Sequence, residues 1–363
     1  MSAAPRTLLV MAGGTGGHVM PAMAVAEALR AEGWRIVWLG THAGMEAKLA
    51  VAKGFEMAWV KVAGVRGKGL MTKLLLPFNL LIAFWQAASA IFRERPDVAL
   101  GLGGYVAFPG GMMASLLNKP LVIHEQNAIA GLTNKVLAHL ANRVLLGLPL
   151  ATPLSKNETW VGNPVRPEIA ALSAPAERIA GHTSQLRGHL RVLVIGGSLG
   201  AKALNDVVPQ ALAEIPPESR PVVRHQSGAK HLDTLKANYA AAGVEGECLS
   251  FIDDMAAAYD WADVVICRSG ALTVAEVAAS GSAALFVPFP FAVDDHQTAN
   301  ARFLSDAGAA WLLPQTEFTA PALAAWLQTL TREQLIARAS QARALAKPDA
   351  TASVVAAVKE LTA

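Results

Sequence analysis

Two stretches decide the fold: TLLVMAGGTGGH (Thr7–His18) and RVLVIGGSLGAK (Arg191–Lys202). Each is a short β-rich apolar run, then a glycine turn, then the start of a helical pattern. After the first come the apolar runs RIVWLG, VALGLGG, PLVIHEQN and RVLLG. After the second come RPVVRHQS, CLSFI, DVVICRSG and ALFVPFP. In both halves these runs alternate with helical stretches, which predicts two doubly wound, mostly parallel α/β sheets. Such sheets place ligands outside the carboxyl ends of their strands. Between the halves, GNPVRPEIAALSAP (162–175) is rich in proline and small residues and reads as a linker. The expected division is 1–164 and 165–345. A final helix, about 346–363, is free to pack back on either half and is assigned to the first.

Composition fits that plan. The chain has 363 residues, of which 53% are hydrophobic, enough for two cores and against disorder. Its two cysteines, Cys248 and Cys267, have no metal-type spacing and suggest a reducing compartment. The start, MSAAPR, is not followed by a long apolar run, so no secretory leader is expected. The net charge is +3, unevenly spread. Residues 1–150 hold 14 Lys and Arg against 7 Asp and Glu, and the remainder 17 against 21. A basic front half suits an anionic surface or a phosphorylated ligand better than duplex nucleic acid.

The segment Leu74–Phe92, LLLPFNLLIAFWQAASAIF, raises the membrane question. Its length approaches the roughly 20 residues of a span, but Pro77, Asn79 and Gln86 interrupt it. Two other readings stand: a buried amphipathic helix, or a helix lying on a membrane surface. For the second, Lys61, Arg66, Lys68 and Lys73 lie upstream, and Phe84 and Trp85 supply interfacial aromatics.

The glycine loops bring backbone N–H groups close to a ligand, and the following helix N-terminus adds positive potential. They do not spell the dinucleotide pattern G-x-G-x-x-G: its third glycine is replaced by Val19 in one loop and Val106 in another. No acid follows the second strand. A lone glycine loop serves strand–helix packing as readily as phosphate, but GGTGG, GLGG and GGSLG together favour phosphate. In CRSGALTVAEVAASG (Cys267–Gly281) a turn at Ser269-Gly270 precedes a helix. The N–H groups of Ala271, Leu272 and Thr273 would suit a diphosphate there. Glu276 is either a helix-dipole carboxylate or a bidentate acceptor for two ribose hydroxyls. In PFPFAVDDHQTANA, Asp295, His296, Gln297 and Asn300 can bond sugar hydroxyls, and Asp295 can equally cap the next helix.

Eight stretches in order, GGTGGHVMPAMAVAEAL, GLGGYVAFPGG, HEQNAIAGLTN, VGNPVR, VIGGSLGA, FIDDM, RSGALTVAE and DDHQTANA, resemble the MurG family of peptidoglycan N-acetylglucosaminyltransferases. The match runs from near residue 7 to near residue 350. The resemblance implies a GT-B architecture, two Rossmann-like domains facing a cleft. It implies inverting transfer of GlcNAc from UDP-GlcNAc to the C4 hydroxyl of MurNAc in undecaprenyl-pyrophosphoryl-MurNAc-pentapeptide (lipid I), giving lipid II. It also implies a peripheral position on the cytoplasmic face of the inner membrane, with cell-wall and division proteins nearby.

Residue roles follow from the same resemblance. Ile252 holds uracil and Glu276 the ribose. Ser198 and the Ala271, Leu272, Thr273, Val274 and Ala275 helix start meet the diphosphate or sugar. Gln297 and Asn300 take GlcNAc hydroxyls. Thr15, Gly16, Gly17 and Asn127 reach the sugar from the first domain, and Arg166 completes the donor site. Gly14, Gly104 and Tyr105 take the acceptor pyrophosphate. His296 departs from relatives that carry glutamine there.

In-line attack by a sugar hydroxyl calls for a base, worth typically about 10²–10⁴-fold. His18, at the end of the glycine loop, is the first candidate, against a structural or phosphate-binding role. Glu125 is the second. The chain has no Asp-x-Asp, so no protein-held metal and no cofactor are expected. An NAD-dependent oxidoreductase would need the missing fingerprint. A binding scaffold would not need both ALTVAE and GGTGGH. An epimerase or hydrolase on the same fold would lack the HEQN…GLTN side and the apolar segment.

Overall fold

The computed structural model describes residues 5–62, 75–181, 189–197 and 200–362. The chain forms two compact units, Met1–Val165 with Pro348–Ala363, and Arg166–Lys347. Ser198, Arg66, Lys68, Lys73 and Leu74 lie outside the described residues.

The first unit is built on a seven-stranded parallel sheet ordered β3-β2-β1-β4-β5-β6-β7. Its strands are β1 (Thr7–Ala12), β2 (Arg35–Gly40), β3 (Glu56–Trp59), β4 (Val98–Gly103), β5 (Leu121–Glu125), β6 (Arg143–Leu146) and β7 (Glu158–Trp160). The central strands β1 and β4 are wholly buried apolar runs, as expected where helices cover both faces. The helices are α1 (Gly16–Ala31), α2 (Met45–Ala52), α3 (Leu76–Glu94), α4 (Ala107–Leu116) and α5 (Leu132–Leu137). The final helix, Ala350–Glu360, also belongs here: it buries Val354, Val355 and Val358 in the core shared with α1. Surface ion pairs Lys359–Glu32 and Arg143–Glu360 flank that contact.

In α3, Ala83, Ala87, Ala90 and Ile91 recur at helical spacing and are buried against the sheet. Its other face is apolar as well: Phe78, Leu81, Ile82, Trp85 and Phe92 are exposed, Trp85 at 71%. A buried amphipathic helix is therefore not what the described part of this segment forms: one face is buried, and the other is apolar but exposed. No helix among the described residues is long and apolar enough to cross a membrane.

The second unit has a six-stranded parallel sheet ordered β10-β9-β8-β11-β12-β13. The strands are β8 (Arg191–Ile195), β9 (Val222–Gln226), β10 (Glu247–Leu249), β11 (Val264–Cys267), β12 (Ala283–Phe286) and β13 (Trp311–Leu312). Its helices begin with α6 (Pro167–Ala170) and α7 (Pro175–Gly181), then α8 (Lys202–Ala213), α9 (Leu232–Ala241) and α10 (Met255–Trp261). There follow α11 (Ala271–Ser280), α12 (His296–Ser305), α13 (Ala320–Thr329) and α14 (Arg332–Ala344), which makes the final helix α15. In each sheet the strand order reverses beside the first strand, between β1 and β4 and between β8 and β11. Loops leaving those strands diverge and open a crevice, the usual binding place in this topology. The glycine turns occupy those loops.

Candidate active site

In the first unit the loops after β1 and β4 interlock through glycine. Gly14, Gly103 and Gly104 all have positive φ, +92°, +97° and +81°. A β-carbon on Gly104 would collide with the Gly13 carbonyl, so the two loops touch backbone to backbone. A β-carbon on Gly103 would come within 3.0 Å of the His18 ring, which lies against it. The Thr15 hydroxyl is 3.3 Å from His18 Nδ1. Thr15 is the N-cap of α1, and Val19 and His18 N–H already bond its carbonyl. The N–H groups of Gly16 and Gly17, the first two of the helix, have no carbonyl of that helix to meet.

Two site expectations change here. The Gly14 N–H does not point at a ligand: it donates to Glu46 Oε2 at 3.2 Å, so Gly14 shapes the turn instead of binding phosphate. Glu125 is not placed as a base. It is 2% exposed, and its carboxylate is fully occupied. Oε1 accepts the Asn127 N–H (3.0 Å) and Nδ2 (3.2 Å), while Oε2 accepts the Gly131 N–H (3.0 Å) and Asn134 Nδ2 (2.9 Å). Protonating it would break that set; its work is to shape the Asn127 loop. Beneath it, buried His124 bonds the Gly162 carbonyl at 2.9 Å and takes Gln126 Nε2 at 3.0 Å on its other nitrogen. Burial pushes the His124 pKa down, so the ring is a neutral strut. Tyr105 stands half exposed beyond Gly104.

In the second unit the turn Ser269-Gly270 leads from β11 into α11. Gly270 is the N-cap and supplies no side-chain cap, leaving the Ala271, Leu272 and Thr273 N–H groups for an outside acceptor. The Ser269 hydroxyl beside them is buried without a hydrogen-bond partner among the described residues. Val274 and Ala275 continue the helix, and Glu276 lies in its second turn. That carboxylate is 7% exposed. Arg166 Nη2 donates to Oε1 at 2.9 Å, and the Tyr259 hydroxyl donates to Oε2 at 3.3 Å. Burial raises the Glu276 pKa, with Arg166 pulling the other way. Tyr259 is itself wholly buried and its pKa is pushed up, so it stays a donor. Each carboxylate oxygen has two lone pairs, so one on each remains for a pair of adjacent hydroxyls.

Ile252, just after β10, is half-buried. Gln297 Oε1 accepts the Phe289 N–H at 2.9 Å, so its amide nitrogen is the group left for a sugar. Asn300 differs from the expectation: it is fully buried, and Nδ2 donates to the Ser269 carbonyl at 3.1 Å. It fastens α12 to the turn before α11. Asp295 occupies the N-cap position of α12, yet its carboxylate accepts from the Thr298 hydroxyl instead of a helix N–H. His296 Nδ1 donates to the Val293 carbonyl at 2.7 Å.

Sequence reading missed Glu46, Tyr259 and Arg268. Arg268 holds the Val287 and Pro288 carbonyls and lies 5.5 Å from the Phe289 ring centroid, fixing the loop whose Phe289 N–H bonds Gln297. Its only sequence signal is its place directly after a strand.

Comparison with known proteins agrees with this layout. Residues 8–146 match the glycosyltransferase family 28 N-terminal domain, and residues 191–355 the family 28 C-terminal domain. A UDP-N-acetylglucosamine--N-acetylmuramyl-(pentapeptide) pyrophosphoryl-undecaprenol N-acetylglucosamine transferase from Cupriavidus metallidurans is 63% identical, covering 96% of each chain. The like-named protein of Dechloromonas aromatica is 59% identical over 98% of this chain and 99% of its own. The crystal structure of Acinetobacter baumannii MurG superposes with a TM-score of 0.85 at 42% identity, covering 98% of this chain and all of that one. The chain belongs to the MurG family, GT-B enzymes whose two α/β units are the N- and C-terminal domains of glycosyltransferase family 28.

Proposed function

We propose that this protein is an inverting hexosyltransferase that moves GlcNAc from UDP-GlcNAc to the MurNAc C4 hydroxyl of lipid I. The observation that carries the reading is Glu276, a buried carboxylate held by Arg166 and Tyr259, one turn behind an uncapped helix N-terminus. That pairing suits a ribose diol joined to a diphosphate. The ribose lies on Glu276, uracil against Ile252, and the diphosphate over Ala271–Thr273. The positive end of α11 and the Ser269 hydroxyl then stabilise the departing UDP. Gln297 takes a GlcNAc hydroxyl through its amide nitrogen. Thr15, Gly16, Gly17 and Asn127 meet the sugar from the first unit, and Gly104 and Tyr105 flank the acceptor pyrophosphate. His18 takes the proton of the attacking hydroxyl. The product feeds peptidoglycan synthesis, and through it cell shape and division.

The relatives' names carry the same two substrates, at 59% and 63% identity over nearly the whole chain. An epimerase would have no use for a lipid-facing surface, and this chain has an exposed apolar helix face. Leu116 on α4, Leu132 on α5 and Lys135 are exposed too, on helices that pack one after another from α3. We assign that face to the anionic cytoplasmic surface of the membrane that holds lipid I.

The deciding experiment is transfer of labelled GlcNAc from UDP-GlcNAc to a lipid I analogue by the purified protein. Release of free GlcNAc, or of its epimer, without a lipid II analogue would sink the assignment. For the surface, replacing Phe78 and Trp85 together with alanine should cut binding to vesicles of anionic phospholipid about tenfold or more. Turnover on a short-chain soluble acceptor should stay near wild type. Undiminished vesicle binding would move the membrane face elsewhere.

A further inference from the structure

Glu46 takes no part in the steps above, yet it is 1% exposed and lies directly under the glycine loop. It stands in the first turn of α2, where the helix N-terminus favours a carboxylate. The side chain turns back across the sheet end. Oε2 accepts the Gly14 N–H at 3.2 Å; Oε1 accepts both the N–H (3.0 Å) and the hydroxyl (2.9 Å) of Thr41. Three glycines make room for it. A β-carbon on Gly13 would come within 3.0 Å of Oε1, one on Gly40 within 2.9 Å of Cγ, and one on Gly44 would overlap both oxygens. Among the described residues no lysine or arginine pairs with this carboxylate. Burial of such a group is costly unless hydrogen bonds replace its water. Here the replacements tie two loops together.

We propose that Glu46 is a positioning residue for sugar transfer: it fixes the turn at Gly14 and thereby aims Thr15, Gly16, Gly17 and His18. A run of four glycines around one threonine is the loosest backbone a loop can have, and each glycine ordered costs more entropy than any other residue. Two anchors hold this one. Gly104 abuts the Gly13 carbonyl on one side, and Glu46 takes the Gly14 N–H on the other. Because Gly14 sits at φ +92°, a conformation without side-chain restraint, that hydrogen bond decides where the next four residues point. The inference rests on the reading of the first unit as the side that meets acceptor and sugar.

The test is Glu46→Gln in the full chain. Glutamine has the same size, but its amide nitrogen would face an N–H, turning one hydrogen bond into a clash of donors. Exchange of the Gly14 amide with deuterium should quicken by tenfold or more, and kcat should fall roughly 10- to 100-fold, the loss of one hydrogen bond to a charged group. The Kd for UDP, bound on the other unit, should stay within twofold. Thr41→Val, which keeps shape and removes only the hydroxyl donor, should lower kcat about threefold and serves if Glu46→Gln does not fold. Unchanged Gly14 exchange, or kcat within twofold of wild type in Glu46→Gln, would overturn the proposal. So would an equal loss of UDP affinity, which marks general damage. The reaction assigned above is judged separately, by transfer in the unmutated protein.

Discussion

Glu276→Ala should weaken binding of UDP-GlcNAc by about 100-fold or more, since in the proposed donor site two hydroxyls lose a charged acceptor at once. The structure makes the loss larger than a surface carboxylate would give. Arg166 and Tyr259 already hold the group in place, so a ribose bound there would meet a carboxylate whose ordering is complete before it arrives. Removing the side chain also leaves the wholly buried Tyr259 hydroxyl without its partner. Stability should fall together with affinity, and the Kd must be read on protein shown to be folded. Glu276→Gln separates the two effects: it keeps the volume and removes the charge. A donor whose ribose lacks the 2′-hydroxyl should bind wild type weakly and lose little more in Glu276→Gln. An undiminished loss with that donor would put Glu276 elsewhere than on the ribose. The pH dependence has a definite sign. Burial raises the Glu276 pKa, so the charged form is lost at a higher pH than for an ordinary carboxylate as the solution is acidified. Donor affinity should therefore decline toward low pH in wild type, and Glu276→Gln should flatten that decline. Tyr259→Phe should weaken donor binding by a smaller factor, about threefold to tenfold, because Arg166 still holds the other oxygen.

The legible parts of this molecule were those set by local pattern. Buried strands such as TLLVMA and VVIC are continuous apolar runs, and each is followed by glycine or serine turns at the sheet's carboxyl end. The start of α11 at Ala271 could be read from Ser-Gly before a helical run. The short edge strands β3, β7 and β13, of four, three and two residues, carry too few positions for any alternation to show. Their existence depends on the neighbour they pair with. The same limit applies to buried polar side chains. A polar residue after a strand looks like a site residue whether it faces a ligand or the backbone. Glu125 and Asn300 both turned inward, Glu125 because Gly131 and Asn134 fold back over it, and Asn300 because the Ser269 carbonyl needs a donor. Glu46 was invisible for the converse reason. Its partner Gly14 is 32 residues away, and nothing in MEAKLAVA distinguishes it from an ordinary first-turn acid. Tyr259, in MAAAYDW, gave no sign at all of reaching Glu276.

With Glu125 committed to its loop, the proposed reaction leaves proton removal to His18, and on that proposal His18→Ala should lower kcat by about 10²- to 10⁴-fold. The ring is held on two sides. Gly103 gives it a flat floor that any β-carbon would spoil, and the Thr15 hydroxyl sits 3.3 Å from Nδ1. The contact between Nδ1 and that hydroxyl bears on which ring nitrogen carries the proton. In the proposed reaction the proton of the C4 hydroxyl passes to the His18 imidazole. The kinetic signature follows. UDP affinity should be unaltered in His18→Ala because the proposed nucleotide site is on the other unit, and the acceptor KM should change little. A raised acceptor KM with kcat preserved would instead make His18 a phosphate contact and leave the base unassigned. Thr15→Val, which removes the hydroxyl but keeps a β-branched N-cap neighbour, should reduce kcat by a smaller factor, about tenfold. In the His18→Ala background it should add little, since the tautomer it sets is no longer there to set. Additive losses in the double variant would mean that Thr15 acts on the sugar directly and not through the imidazole.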